Sequence, residues 1–228
     1  MRLNVFIAKS GYCSRRKAGV LIKEGKVRVK GKIIIEPFFD TSGLDKVEIG
    51  KTIISLKEHI YILFNKPKGV TTTLSDRFAK RKIIDFFPKE LSGIYPVGRL
   101  DKDSSGLLIL TNDGDLCYKL THPKFRVEKE YLARLKGKFE AVDCQKAVKG
   151  LRDEGDYLKV DKIKVLKKEK DETLCAVIVC EGKKRHLRRL FKGLGFEVKS
   201  LVRVRIGKLV LGSLKPGRYK ILGSGLRI

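Results

Sequence analysis

The sequence predicts an α+β protein: a small basic unit over residues 1–56, then a larger domain over residues 60–228 with a mixed, largely antiparallel sheet flanked by helices. Two observations carry this. Segments with a period of two outnumber helical ones and do not alternate strictly with them, as a parallel α/β sheet would require. A polar stretch, Ser55-Leu56-Lys57-Glu58-His59, separates the opening unit from the rest.

In the first unit Leu3, Phe6, Ile7 and Ala8 form a helical stripe that closes at Gly11. Ser14 caps a second helix with Ala18, Leu21 and Ile22 inward and Arg15, Arg16, Lys17 and Lys23 outward, and Gly25 ends it. Val27 and Val29 alternate with Lys26, Arg28 and Lys30 as a half-buried strand, and Ile33-Ile34-Ile35 follows a turn. Residues 46–50 are expected to be the last short strand of this unit. In the larger domain residues 60–64 form a strand running into a turn at Asn65-Lys66-Pro67-Lys68-Gly69. Residues 106–111 are a nearly all-apolar buried strand and 112–120 a helix. Alternation predicts strands at 130–135, 158–166, 173–179 and 198–206, with helices over 142–151 and 184–194.

The chain carries 52 Lys and Arg against 26 Asp and Glu, a formal net charge of +26 spread along its whole length. Such a field attracts polyanions, folded RNA foremost, although a lysine-rich solvated surface is the plainer reading of charge alone. No basic amphipathic segment marks a membrane surface, and the longest apolar runs are too short to cross a bilayer. Five scattered cysteines form no Cys-x-x-Cys pair and stand at no metal-like spacing from His59, His122 or His186. A cytoplasmic protein with reduced thiols and no metal is expected.

The first unit resembles the S-four-type (alpha-L) RNA-binding module. The carrying residues are Arg2-Leu3 with Phe6-Ile7-Ala8, then Gly11-Tyr12-Cys13-Ser14-Arg15-Arg16-Lys17-Ala18, and Leu21 through Lys32. A helix opening at Ser14 offers free N–H groups and a positive dipole end to phosphate, with Arg15, Arg16 and Lys17 beside it. A solvated basic helix is the bland alternative.

The densest signal is Gly98-Arg99-Leu100-Asp101-Lys102-Asp103-Ser104-Ser105-Gly106, a charged loop between glycines that leads into the apolar strand. From chemistry alone Asp101 is equally an ion-pair partner of Arg99 or a turn-forming residue. The surrounding motifs, however, resemble the RsuA-type family of ribosomal-RNA pseudouridine synthases. They include Asn65-Lys66-Pro67-Lys68-Gly69, Leu110-Thr111-Asn112-Asp113-Gly114, Leu120-Thr121-His122-Pro123, Glu128-Lys129-Glu130-Tyr131-Leu132, Leu187-Arg188-Arg189, Arg203-Val204-Arg205-Ile206-Gly207 and Leu214-Lys215-Pro216-Gly217.

That resemblance implies isomerisation of a uridine in ribosomal RNA, large-subunit RNA slightly favoured, with no cofactor. It implies Asp101 as the catalytic carboxylate and Arg188 as its basic partner. Tyr131 is then the tyrosine against the target base, and Leu187 part of the uracil pocket. Arg99 fills the gap left by a flipped nucleotide, whose extrusion costs a few kcal/mol. Lys183, Arg185 and Arg189 join Arg15, Arg16 and Lys17 as expected RNA contacts. His186 departs from the glutamine many members carry, and Phe196 from a histidine. A monomer is the plain expectation. The alternatives are an inactive RNA-binding assembly factor and a hydrolase with paired carboxylates.

Overall fold

The computed structural model describes residues 1–91 and 93–223; the expected end of the larger domain at residue 228 lies outside them. The opening residues form two helices, Leu3–Lys9 and Arg15–Lys23, packed on a four-stranded sheet. Ser14 caps the second helix by accepting from the Lys17 N–H at 3.3 Å. Leu3, Phe6, Ile7, Ala18, Ile22, Val27 and Val47 make its core, so the apolar stripes predicted from periodicity are the buried faces. Residues 46–50 are not the last strand of this unit. Val47–Ile49 turns back into Thr52–Ile54, which the sequence does not announce because only Ile54 of its three residues is buried.

The second sheet orders seven strands as Lys162–Lys168, Glu172–Val179, Lys129–Lys136, Val198–Ile206, Ser105–Thr111, Tyr61–Lys66 and Tyr219–Leu222. Two short strands, Tyr95–Pro96 and Leu209–Val210, attach to it. Pairing is antiparallel except between Val198–Ile206 and Ser105–Thr111, so the sheet is mixed and largely antiparallel, as expected. The run Leu107-Leu108-Ile109-Leu110 is apolar throughout because the strand is covered on both faces. Leu108 and Leu110 pack with Ile62, Phe64 and Leu100, while Leu107 and Ile109 pack with Leu63, Leu116 and Leu120. The helix His186–Gly193 buries Leu187, Leu190 and Phe191 in a third cluster with Phe139, Leu135 and Val177.

Some boundaries differ from expectation. The strand expected over 158–166 is broken at 159–161, with Asp156–Leu158 in a hairpin before the break and Lys162–Lys168 at the sheet edge after it. The basic helix starts at His186, two residues late, because Arg185 adopts the left-handed conformation at φ 51°. The helix expected to reach residue 151 stops at Lys149, where Gly150 admits a hairpin, Leu151–Asp153 with Asp156–Leu158.

Candidate active site

The loop carrying Asp101 hangs between two fixed points. Val97 N–H donates to Ile109 O at 2.8 Å on one side, and the Ser105–Thr111 strand begins on the other. The segment after Lys66 braces it. Gly69 N–H donates to Lys102 O at 2.7 Å, and Thr72 Oγ1 donates to Leu100 O at 2.7 Å while accepting from Leu100 N–H at 3.3 Å. A turn bond from Ser104 N–H to Asp101 O, 3.1 Å, closes the bend. Asp101 is thus presented by backbone contacts that do not involve its side chain.

It lines an open cavity that is continuous with solvent. Among its lining residues are Arg99, Asp101, Tyr131, Lys183, Arg185 and Leu187. Six positions singled out in the sequence therefore converge on one opening from three elements far apart in the chain. Arg99 is exposed at its rim and Leu187 buried at its wall. Arg15, Arg16 and Lys17 are not among its lining residues. They stand exposed at the start of the Arg15–Lys23 helix.

Arg188 does not make its direct ion pair with Asp101. Its Nε lies 3.1 Å from Asp103 Oδ2, its Nη2 donates to Asp103 O at 2.9 Å, and its Nη1 donates to Val198 O at 3.0 Å. Arg185 holds the same carboxylate through both nitrogens, at 3.2 and 3.0 Å. Burial pushes the Asp103 carboxyl up, but the Arg185 hydrogen bond and the Arg188 charge together leave it below its ordinary value. Asp103 anchors both arginines, and Asp101 acts on them through space, its charge favouring their protonated forms.

Arg189, an expected RNA contact, meets carboxylates of the protein itself: its Nε lies on Asp153 Oδ2 at 2.6 Å, its Nη1 on Asp156 Oδ2 at 2.7 Å, and its Nη2 donates to Asp153 O. The guanidinium, with Nη1 also donating to Lys184 O at 3.3 Å, is held by the Leu151–Leu158 hairpin. Lys183 spends its ammonium on Tyr157 O at 2.6 Å, yet still lines the cavity. His186 is buried, with Nε2 on Lys159 O at 2.8 Å; since a carbonyl only accepts, Nε2 carries the hydrogen. Burial pushes its basicity down, which suits that neutral form.

Two basic residues at the site went unassigned in the sequence. Arg203 reaches the Tyr131 hydroxyl from the neighbouring strand. Lys66, 0% exposed, donates to Pro67 O at 3.0 Å and Val70 O at 2.8 Å. Burial depresses its pKa to about 8, opposed by the charges of Asp101 and Asp103. Both sat inside motifs already noted, and the usable signal for Arg203 was its inward phase with Leu201 along an alternating strand.

The buried Lys66 carries a pH signature. Its folded pKa of about 8 lies below the ordinary 10.5, so between those values the unfolded chain binds more protons, and stability contributed by this group rises with pH. The shift corresponds to about 3 kcal/mol. Denaturant unfolding of wild type and Lys66→Met should therefore show their difference moving toward wild type by about that amount from pH 8 to 10.5. A difference that stays flat with pH refutes a desolvated ammonium.

Comparison with known proteins agrees with this architecture. Residues 60–192 match the family described as RNA pseudouridylate synthase, and residues 1–37 match the S4 domain. A ribosomal large subunit pseudouridine synthase B from Bacillus subtilis is 39% identical over 218 residues, covering 95% of this chain and 89% of that protein. An uncharacterized RNA pseudouridine synthase from Aquifex aeolicus is 35% identical, covering 99% and 91%. A solved pseudouridylate synthase superposes with a TM-score of 0.67 at 30% identity, covering 98% of this chain and 96% of that one. With a family match across more than half its length and relatives aligned nearly end to end, the chain belongs to the RNA pseudouridylate synthase family.

Proposed function

We propose that the protein isomerises a specific uridine of ribosomal RNA to pseudouridine, large-subunit RNA being favoured, with Asp101 as the reacting carboxylate. The observation that carries the reading is the convergence of Asp101, Tyr131, Leu187 and Arg99 on one open cavity. The reaction detaches the base from its ribose, turns it over and rejoins it through a ring carbon. It consumes no redox equivalent. A carboxylate beside the sugar either attacks it or stabilises its cationic character. Tyr131 packs against the base, Leu187 gives the pocket an apolar wall, and exposed Arg99 occupies the space vacated by the extruded nucleotide. Lys66, Arg185 and Arg188 surround the carboxylates with positive charge, which also draws the RNA backbone in.

A hydrolase reading needs a second carboxylate free to activate water. Asp103, nearest in sequence, is occupied by Arg185 and Arg188. Glu181, a second carboxylate lining the cavity, lies 3.3 Å from the Lys183 ammonium, so release of free uracil is the outcome that would expose hydrolysis. The basic unit of residues 1–56 supplies a separate grip on RNA through Arg15, Arg16 and Lys17, and residues 60–228 carry the chemistry. The Bacillus relative's name points to the large subunit. The protein then works as a monomer in the cytoplasm, on free ribosomal RNA or a pre-ribosomal particle. No helix among the described residues is long and apolar enough to cross a membrane, and all five thiols are free.

The test is chemical mapping of pseudouridine in both ribosomal RNAs from a deletion strain and its parent, repeated on deproteinised RNA treated with purified protein. One uridine lost on deletion and restored by treatment is expected. Identical maps, with RNA binding intact, leave an assembly factor.

A further inference from the structure

Arg203 is a buried cation without a counter-ion. It stands across from Tyr131 in the register of two paired strands and is 3% exposed. None of the ion pairs among the described residues includes it, and its Nη2 is buried with no hydrogen-bond partner among them. A desolvated guanidinium of this kind is expensive, and an apolar side chain of similar volume gives the more stable core. Its presence calls for a reason other than stability.

The two contacts it does make supply one. Nε donates to Leu107 O at 2.8 Å, and Nη1 donates to Tyr131 Oη at 3.3 Å, with the guanidinium carbon 5.9 Å from the centre of the tyrosine ring. Leu107 lies in the strand that continues directly from the Asp101 loop. One rigid planar group thus spans from the backbone behind Asp101 to the hydroxyl of Tyr131. Arginine has donors and no acceptors, so the phenol oxygen must accept here, and the tyrosine's own hydrogen must point elsewhere.

Building on the reading of Asp101 and Tyr131 as working parts of the site, we propose that Arg203 is its positioning residue. It fixes the direction of the Tyr131 hydroxyl relative to Asp101 and holds positive charge against the phenol oxygen during isomerisation. Arg203 itself lies behind the ring and touches no substrate.

A double-mutant cycle tests this, using the full-length protein and a ribosomal RNA fragment containing the mapped uridine. Arg203→Met should lower the single-turnover rate by about 10- to 100-fold, the loss expected for a hydrogen bond from a charged donor. RNA affinity should change less than about twofold, because no phosphate is contacted. In a Tyr131→Phe background, which lacks the hydroxyl, Arg203→Met should cost less than about threefold more, since the two changes remove one interaction. Full additivity of the two substitutions overturns the proposal, because a merely structural arginine would cost the same in either background. Should Arg203→Met not fold, Arg203→Gln takes its place: it removes the charge and is too short to span both acceptors, and the same non-additivity is expected. Should Tyr131→Phe fall below detection, rescue decides. Lys at position 203 must then run at least about tenfold faster than Met, and equal rates overturn the proposal. An inactive wild type sinks the enzyme reading instead, whereas active wild type with additive substitutions sinks this inference alone.

Discussion

Asp101→Asn is expected to leave a folded, RNA-binding protein whose isomerisation rate has fallen by more than about 1,000-fold, because removing the reacting group disables a constellation that works as a unit. The structure says why binding and folding should survive. Among the described residues the Asp101 side chain makes no hydrogen bond and no ion pair. Its loop is held by Gly69, Thr72, Val97 and Ser104 through backbone atoms that asparagine leaves untouched. The nearby cations keep Asp103 as their direct partner. Asp103→Asn should behave in the opposite way, losing stability as well as rate, since it takes the anchor from both Arg185 and Arg188. Pseudouridine mapping on treated RNA, run beside an RNA-binding titration, separates the two. Wild-type rates in Asp101→Asn would remove this carboxylate from the chemistry altogether.

The contrast between the two aspartates shows where sequence reasoning ends. Elements with many buried residues were legible, because their periodicity reports the core directly. The stripe at Leu3, Phe6 and Ile7, the two-sided strand at 107–110 and the alternation in Glu172–Val179 are of this kind. Short pieces were not. Thr52–Ile54 and the edge strand Tyr219–Leu222 bury too little to print a pattern, and pairing with an existing strand, not their own composition, forms them. At the site, motif order brought Asp101, Tyr131 and Leu187 into one group. It paired Arg188 with Asp101 and gave Arg185 and Arg189 to RNA, because the three follow one another along a basic stretch and nothing local assigns their partners. Three-dimensional proximity does. Asp103 takes the first two and the Asp153–Asp156 hairpin takes the third.

Gly106→Ala should strongly destabilise the synthase sheet at the strand that follows the catalytic loop. Gly106 sits at φ 103°, where a β-carbon is strained, and that carbon would lie 2.2 Å from Arg203 O and 2.6 Å from Arg203 N. Backbone, unlike a flexible side-chain tip, cannot turn aside. The parallel pairing of Ser105–Thr111 with Val198–Ile206, Arg203 opposite Gly106, requires this close approach. Conformational strain of about 1–2 kcal/mol and overpacking of about 1–3 kcal/mol together give a loss of roughly 2–5 kcal/mol. For a chain of this size that lowers the melting temperature by about 4–20 °C. Gly137→Ala provides the control: φ is 89° there but no atom lies within 4 Å of the added carbon, so only the strain of about 1–2 kcal/mol remains. Residual folded Gly106→Ala should also be slow, since forcing the Ser105–Thr111 strand off Val198–Ile206 draws Leu107 O away from Arg203 and loosens its seating behind Tyr131. Equal melting temperatures for the two alanine variants would show that the sheet yields at this crossing, and the tight seating of Arg203 behind Tyr131 would lose its structural basis.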